Sequence, residues 1–215
     1  MLGKDIPIRT TLLDVNTNEY VASFDCSNEG INFYLRNNAV HDVSSVTHLF
    51  IDERNNHVVA FATLAATGIT IEKGFQDDEE MSTTLIPAYE IKYFAVDKSY
   101  QHMRYCEEEK ETLSYFILSH IISYIEDIAG VGIGALQIVL YSVMKATHFY
   151  QRSGFRGFNN NMRGDQGYNV ENCIPMYLEI SHGESIDDGT EYGLVVVSME
   201  EWQEYQRWKS EHIDN

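Results

Sequence analysis

Hydrophobic and polar positions divide the beginning of the chain into a strand and a helix. Apolar residues recur through 6–15, which predicts an opening strand. Between Glu29 and Val40 the apolar positions instead have the spacing of a short helix. Ser27 and Asn28 lie directly before this segment, and the side chain of either residue can cap the first turn. The chain is therefore predicted to begin with a strand and a capped helix.

The next segment has the pattern of two strands joined by a tight turn. Residues 46–52 and 57–67 are rich in β-branched and aromatic residues, and Asn55 and Asn56 lie between them. Adjacent asparagines favour the left-handed backbone of a short hairpin turn. We therefore expect an antiparallel hairpin.

A strand, a helix and a second strand follow in the middle of the chain. Residues 89–96 alternate as a strand does, 112–129 carry a wide apolar helical stripe, and 136–141 form an apolar strand. Two strands joined through a helix usually pair in parallel with a right-handed crossover. A shorter helix is expected at 143–152, closed by Gly154.

Less regular segments lie on either side of these elements. Residues 72–84 are polar and acidic, which predicts a loop rather than a strand. Further strands are expected at 155–158 and at 174–180. These assignments place a single domain over 1–180.

The last part of the chain, 181–215, is predicted to be an appendage. A polar break precedes a short apolar strand at 194–197 and an amphipathic helix at 199–209. Aromatic residues at this helical spacing more often form a docked face than a binding site. The aromatic face consists of Trp202, Tyr205 and Trp208.

The chain is strongly acidic, and this restricts the partners that we expect. It has 33 acidic and 15 basic residues, which gives a formal net charge of −18. Phosphate-backbone binding depends on clustered lysine and arginine, so the composition disfavours a nucleic-acid-binding protein. An acidic surface is typical of a soluble enzyme and also suits a protein that binds a basic partner.

Cysteine usage and hydrophobic run lengths favour a cytoplasmic protein. Cys26, Cys106 and Cys173 are widely spaced and odd in number, so we expect neither a disulfide framework nor a metal site. The first residues contain no apolar stretch of signal-peptide length, and no run approaches that of a membrane helix.

The order of the elements and one local motif together resemble the GNAT acyltransferase family over roughly residues 20–180. The motif is FYQRSGF at 149–155, at the end of the short helix. The segment FDCSN at 24–28, followed by a helix, resembles the branch that includes acetyltransferase toxins acting on aminoacyl-tRNA. The resemblance implies an α/β (α+β) fold with a mixed, mostly antiparallel central sheet, a splayed strand pair and flanking helices.

The resemblance implies that acetyl-CoA is the co-substrate. Its pantetheine arm would pair with an exposed strand backbone, and its pyrophosphate would lie at the N-terminus of the long helix, where orphan N–H groups favour anions. The implied cofactor-binding residues are Phe94, Ala95, Val96, Gln101, His102, Met103, Arg104 and Ser142.

The expected pyrophosphate loop departs from the family pattern Gln/Arg-x-x-Gly-x-Gly/Ala. Gln101 matches its first position, but Arg104 and Cys106 stand where the glycines are expected. A side chain there blocks close approach of the backbone to phosphate. The acidic run EEEKE at 107–111 also competes with an anion for the helix N-terminus.

Two residues are the candidates for acid–base catalysis. By resemblance, Tyr150 is the general acid that protonates the departing thiolate; the alternative is a core aromatic at a helix end. Glu90, on the cofactor strand, is the candidate base for the substrate amine, with an outward-facing strand carboxylate as its alternative. His102 is a second candidate base.

Two functions remain open from the sequence. The first is an acetyl-CoA-dependent N-acetyltransferase without a metal, acting on a small amine or a basic peptide, or on a tRNA-linked amine. The second is a GNAT-like fold that has lost catalysis and serves as an acidic protein-interaction module. A homodimer or a cognate protein partner is compatible with either function.

Overall fold

The structure is a computed structural model, which describes residues 6–73, 82–105, 111–131, 134–164 and 172–180. The strands within these ranges are β1 (Ile8–Leu12), β2 (Val46–Asp52), β3 (His57–Lys73), β4 (Ser82–Val96), β5 (Gln137–Val143), β6 (Arg156–Gly157), β7 (Met162–Arg163) and β8 (Cys173–Glu179). The α-helices are α1 (Glu29–Phe33), α2 (Leu113–Val131) and α3 (Thr147–Arg152). The predicted appendage at 181–215 lies outside the described residues.

These strands form one mixed sheet. Their order is β1-β2-β3-β4-β5-β8-β6, and β7 pairs with the far end of β3. All the pairings are antiparallel except that of β4 with β5, which are joined through α2 and run parallel. The predicted hairpin, the parallel pair and the mostly antiparallel character of the sheet are therefore confirmed.

The β3–β4 hairpin is longer than the sequence pattern predicted. The pairing extends to Lys73 opposite Ser82, so the prediction of a loop over the whole of 72–84 was wrong at both of its ends. The extension is stable because Ile69 and Ile71 are buried on it. Met162 of β7, a strand that was not predicted, is also buried and pairs opposite Ile71.

Alternating side chains of the sheet fill two hydrophobic layers. Phe50 packs in the layer that contains the apolar stripe of α2, whereas Leu49 and Ile51 pack on the opposite side with Phe24 and Leu35. The sheet is thus covered on both faces, by α2 on one and by the α1 region on the other. No helix in the described ranges is long and apolar enough to cross a membrane.

The α1 region begins as predicted and then changes its helical form. The Asn28 side chain accepts hydrogen bonds from the N–H groups of Gly30 and Ile31, so it is the N-cap. The helix then widens into a π-helical turn over Tyr34–Asn38 and closes with a 3₁₀ turn over Ala39–His41. Such widened turns are frequently found at functional sites.

Candidate active site

Strands β4 and β5 pair over a short stretch and then diverge. Their register runs from Ala88 opposite Gln137 to Ile91 opposite Leu140, and within the described residues it contains no later pair. Both strands nevertheless continue, β4 to Val96 and β5 to its own end. The predicted splayed pair is therefore present as a fork in the sheet.

A β-bulge lies where the fork opens. Tyr93 pairs opposite Thr63, but Leu64 pairs opposite Ile91, so Lys92 is an extra residue on β4. A bulge bends its strand and increases the local twist. The bend coincides with the last β4–β5 pair, which explains why the strands diverge there.

The fork encloses a pocket of about 290 Å³, here called the fork pocket. Its walls come from the start of α1, from β4 and β5, from α3 and its preceding turn, and from β8. The lining residues are Asn28, Ile31, Glu90, Ile91, Lys92, Tyr93, Phe94, Leu140, Tyr141, Ser142, Val143, Ala146, Tyr150 and Cys173. Four residues predicted from the sequence thus meet in one place, namely Glu90, Phe94, Ser142 and Tyr150.

Tyr150 enters the fork pocket from α3. Its ring makes edge contacts with Phe149 and Phe155, at centroid distances of 5.2 and 5.9 Å, and only 9% of the residue is exposed. Burial raises the pKa of the Tyr150 phenol well above its ordinary value. The phenol therefore stays protonated throughout the neutral range and is available as a proton donor.

Glu90 and Ser142 lie on the two strands that flank the fork. Glu90, on β4, is buried rather than outward-facing, with 7% of its surface exposed. Ser142, on β5, is also buried, and its hydroxyl donates a hydrogen bond to the Val143 carbonyl at 3.0 Å. This bond leaves the lone pairs of the Ser142 oxygen available to accept a further hydrogen bond.

The other strand candidates can offer only their backbone to a ligand in the fork. Ala95 is buried in the layer on the α1 side, and Val96 is buried in the layer on the α2 side. Phe94 borders the pocket, and its ring stacks on Phe149 with centroids 6.1 Å apart.

The loop candidates do not border the fork pocket. Gln101 directs its side-chain amide inward, where it donates to the backbone carbonyls of Cys26 and Val96 at 3.2 and 3.0 Å. Met103 packs partly against the core, whereas His102 and Arg104 are exposed. The structure therefore separates Gln101, His102, Met103 and Arg104 from the catalytic candidates.

The residues on the two sides of the loop before α2 are joined by backbone hydrogen bonds. The Met103 carbonyl accepts from the N–H of Leu113 at 2.8 Å, and the Glu111 carbonyl accepts from the N–H of Tyr105 at 3.0 Å. The first helical N–H of α2 is thus already satisfied by the protein chain. A pyrophosphate at this end would have to use other donors.

Sequence reasoning missed several residues of the pocket wall. Cys173 reaches it because β8 pairs with β5, with Cys173 opposite Val143. Tyr141 packs against Gly164. A Cβ atom at position 164 would lie 2.1 Å from the Tyr141 hydroxyl, so only glycine leaves room for this side chain. Both arrangements depend on contacts between distant segments, so no local motif could have indicated them.

A second polar cluster contains serine, histidine and aspartate, and none of the three lines the fork pocket. Ser23 Oγ lies 3.3 Å from His57 Nδ1, and His57 Nε2 lies 3.2 Å from Asp97 Oδ2. The Asp97 carboxylate also accepts from the N–H groups of Asp25 and Ser99, both at 2.9 Å. This network ties the loop after β4 to the segment before α1, and we assign it a structural role.

The forked mixed sheet, with a helix crossing between its parallel strands, defines the GNAT acyltransferase fold. No protein-family model matches the chain, and no curated protein matches it. Solved structures do match, among them toxins of the GNAT acetyltransferase class.

Three of these structures illustrate the likeness. A tyrosine-to-phenylalanine mutant of the AtaT toxin, bound to acetyl-CoA and the C-terminus of the antitoxin AtaR, is 15% identical with a TM-score of 0.56 and covers 80% of this chain and 93% of its own. A tyrosine-to-phenylalanine mutant of KacT is 15% identical with a TM-score of 0.58, covering 80% and 95%. AtaT complexed with acetyl-methionyl-tRNAfMet is 18% identical with a TM-score of 0.53, covering 74% and 94%. At these identities the likeness shows a shared fold.

Proposed function

We propose that the protein is an acetyl-CoA-dependent N-acetyltransferase. The observation that carries this proposal is the fork pocket, in which a buried phenol and a buried carboxylate face a gap in the sheet. A buried acid and base in one concave site are typical of proton-transfer catalysis. The shared fold with a toxin bound to acetyl-CoA supports the choice of donor.

The backbone of β4 beyond the bulge would hold the pantetheine arm. Phe94, Ala95 and Val96 pair with β3 on one edge and have left β5 on the other, so an extended ligand can take the place of the missing strand. The acetyl thioester would then lie between Phe94 and Ser142. The pyrophosphate would lie over the segment 101–104, with Arg104 as a positive charge.

The chemistry requires two proton transfers. The acceptor nitrogen attacks the thioester carbonyl carbon, the C–S bond breaks, and CoA leaves as a thiolate. The Glu90 carboxylate takes the proton that the amine loses, and the Tyr150 phenol donates a proton to sulfur. Glu90 then releases its proton and Tyr150 regains one, so the products are the amide and free CoA.

The acceptor is proposed to be a primary amine. The net charge of −18 favours a small cationic amine or a basic peptide, because the field of the protein attracts positive charge. The AtaT complex with acetyl-methionyl-tRNAfMet supports a tRNA-linked amine as the other choice. Parallel assays with spermidine, a lysine-rich peptide and an aminoacyl-tRNA distinguish these classes.

A second candidate function is an acidic interaction module that has lost catalysis. The specific observation in its favour is the self-paired loop before α2, in which the glycines of the family pattern are absent. Antitoxin binding by AtaT, as in its complex with AtaR, provides a precedent for a protein partner on this fold.

Thermal unfolding with acetyl-CoA separates these two functions. A ligand that binds the native state stabilises the protein, by about 2.7 kcal/mol at a hundred times its dissociation constant. We expect a clear rise in melting temperature with millimolar acetyl-CoA, together with thiol release when an acceptor is added. Absence of both effects would remove the enzyme proposal and leave the interaction module.

Tyr150→Phe then tests the mechanism. We expect turnover to fall by about 10²- to 10⁴-fold, because a general acid is lost, while the stabilisation by acetyl-CoA remains. Tyr124→Phe is the matched control, since Tyr124 lies on α2 with 40% of its surface exposed and outside the fork pocket. Equal turnover of the two variants would show that Tyr150 is not the acid.

A further inference from the structure

A largely enclosed but not fully buried ion pair holds the bulged residue of β4. Lys92 Nζ lies 2.9 Å from Asp42 Oδ2, and the two side chains are only 8% and 17% exposed. The ammonium also donates to the Ser44 hydroxyl at 3.4 Å. Lysine usually extends its charged end into water, because burying a charge is costly even when it is paired. The Lys92 side chain instead directs its ammonium group to Asp42 and Ser44, which indicates a specific role.

Asp42 is a rigid anchor for this lysine. Its carboxylate accepts hydrogen bonds from the Tyr34 hydroxyl at 3.1 Å, from the Ser45 hydroxyl at 2.7 Å, and from both the N–H and the hydroxyl of Ser44. The Tyr34 ring in turn stacks on Tyr93, with centroids 4.0 Å apart. The bulged residue and the residue after it are thus both tied to the segment that follows α1.

The anchored residue lies at the point where β4 leaves β5. The last pair of the parallel ladder is Ile91 opposite Leu140, and Lys92 comes next. Lys92, Tyr93 and Phe94 then form the β4 wall of the fork pocket. Because an extra residue in a strand displaces everything after it, the position of this wall depends on the bulge staying where it is.

We propose that Lys92 is a positioning residue, whose ion pair with Asp42 locks the bulge and so holds the fork at the width that the acetylated arm of CoA needs. The inference rests on the proposed acetyltransferase function. Lys92 acts through the β4 backbone and has no proton-transfer role. Without the ion pair, the bulged residue is no longer held to the segment after α1, so the β4 wall can shift toward β5 and narrow the binding edge.

Calorimetric titration with acetyl-CoA tests the inference on the full chain. Lys92→Met keeps an unbranched side chain that is one heavy atom shorter, and it removes the charge. We expect the dissociation constant to rise about tenfold or more, since a displaced β4 backbone loses hydrogen bonds to the pantetheine arm. Lys92→Arg preserves the charge and should restore most of the affinity. Arg163→Met is the control, because it breaks an exposed ion pair with Glu72 at the far end of the β3–β4 hairpin.

A truncated ligand distinguishes positioning from general damage. Adenosine 3′,5′-bisphosphate lacks the pantetheine arm and does not enter the fork, so Lys92→Met should bind it as the wild type does. Equal weakening for both ligands, or unchanged acetyl-CoA affinity in Lys92→Met, would overturn the inference. A wild-type protein that fails to bind acetyl-CoA would instead overturn the proposed function.

Asp42→Asn provides the second variant if Lys92→Met does not fold. It keeps an oxygen that can accept the Ser45 and Tyr34 hydrogen bonds but removes the negative charge beside Lys92. The same selective loss of acetyl-CoA affinity is expected. Failure of both variants to fold would also overturn the inference, because the pair would then serve the stability of the fold and not the width of the fork.

Discussion

At the scale of single residues, burial keeps the Tyr150 phenol of the fork pocket protonated. Tyr150 lies between Phe149 and Phe155, and loss of contact with water raises the pKa of its phenol. In the proposed reaction, a protonated phenol would offset the negative charge that develops on sulfur. Glu90 lies on β4 in the same pocket and is the base that we propose for the amine.

Glu90→Gln tests the proposed base independently of the proposed acid, Tyr150. We expect kcat/KM to fall by about 10²-fold or more, and the acidic limb of the pH–rate profile to flatten, because the amide cannot accept a proton. Glu126→Gln, on α2 outside the pocket, is the control and should leave the profile unchanged. An unchanged acidic limb in Glu90→Gln would show that Glu90 is not the base.

At the scale of elements, the end of α3 depends on one glycine. Gly154 has φ +92°, in the left-handed region, and its neighbour Phe155 donates its N–H back to the Tyr150 carbonyl at 3.1 Å. This turn ends the helix at Arg152, one residue beyond the neighbour of Tyr150. The motif at 149–155 therefore contains both the proposed acid, Tyr150, and the glycine whose backbone conformation ends the helix that carries it.

Gly154→Ala should destabilise the protein by about 1–2 kcal/mol, because a Cβ is strained at positive φ. It would also lie 3.2 Å from a methyl carbon of Leu178. Urea unfolding measures this change. Gly157→Ala is the control, since a Cβ there would meet no atom within 4 Å. Equal unfolding midpoints for the two variants would contradict the prediction.

At the scale of the whole molecule, aspartates join segments that are distant in sequence. Asp52 pairs with Arg54 and accepts from the Tyr100 hydroxyl at 3.0 Å. Asp25 pairs with Lys98 at 2.6 Å in the same part of the fold. The hydrogen bond from Arg54 lowers the pKa of Asp52 from 3.8 to about 2, so the folded state favours the ionised form.

Acid should therefore weaken the fold through Asp52. A carboxylate whose pKa is lowered by folding contributes stability above its unfolded pKa of 3.8, and this contribution is lost as the pH falls toward its folded value of about 2. Asp52→Asn should be less stable than the wild type at pH 7, and the difference should shrink across that acidic range. Urea unfolding at several pH values measures it, and a constant difference would contradict the prediction.

The sequence predicted those features that depend on neighbouring residues. The apolar stripe of α2, the Asn28 cap and the turn at Gly154 follow from local patterns, and all three are present. The bulge at Lys92 and the contribution of Cys173 to the pocket could not be predicted, because strand register is set by distant segments. The inward turn of the Gln101 amide also depends on a carbonyl 75 residues away.

The sequence by itself determined the order of elements and the strand–helix–strand unit whose strands run parallel, because periodicity and residue type act over a few positions. It proposed Tyr150 and Glu90 as acid and base through a resemblance, and these roles stay predictions. Only the tertiary structure decided that β4 and β5 diverge after Ile91 and that Tyr150 and Glu90 share one pocket. A pocket exists only where separate elements meet, and the packing of those elements is a property of the whole chain.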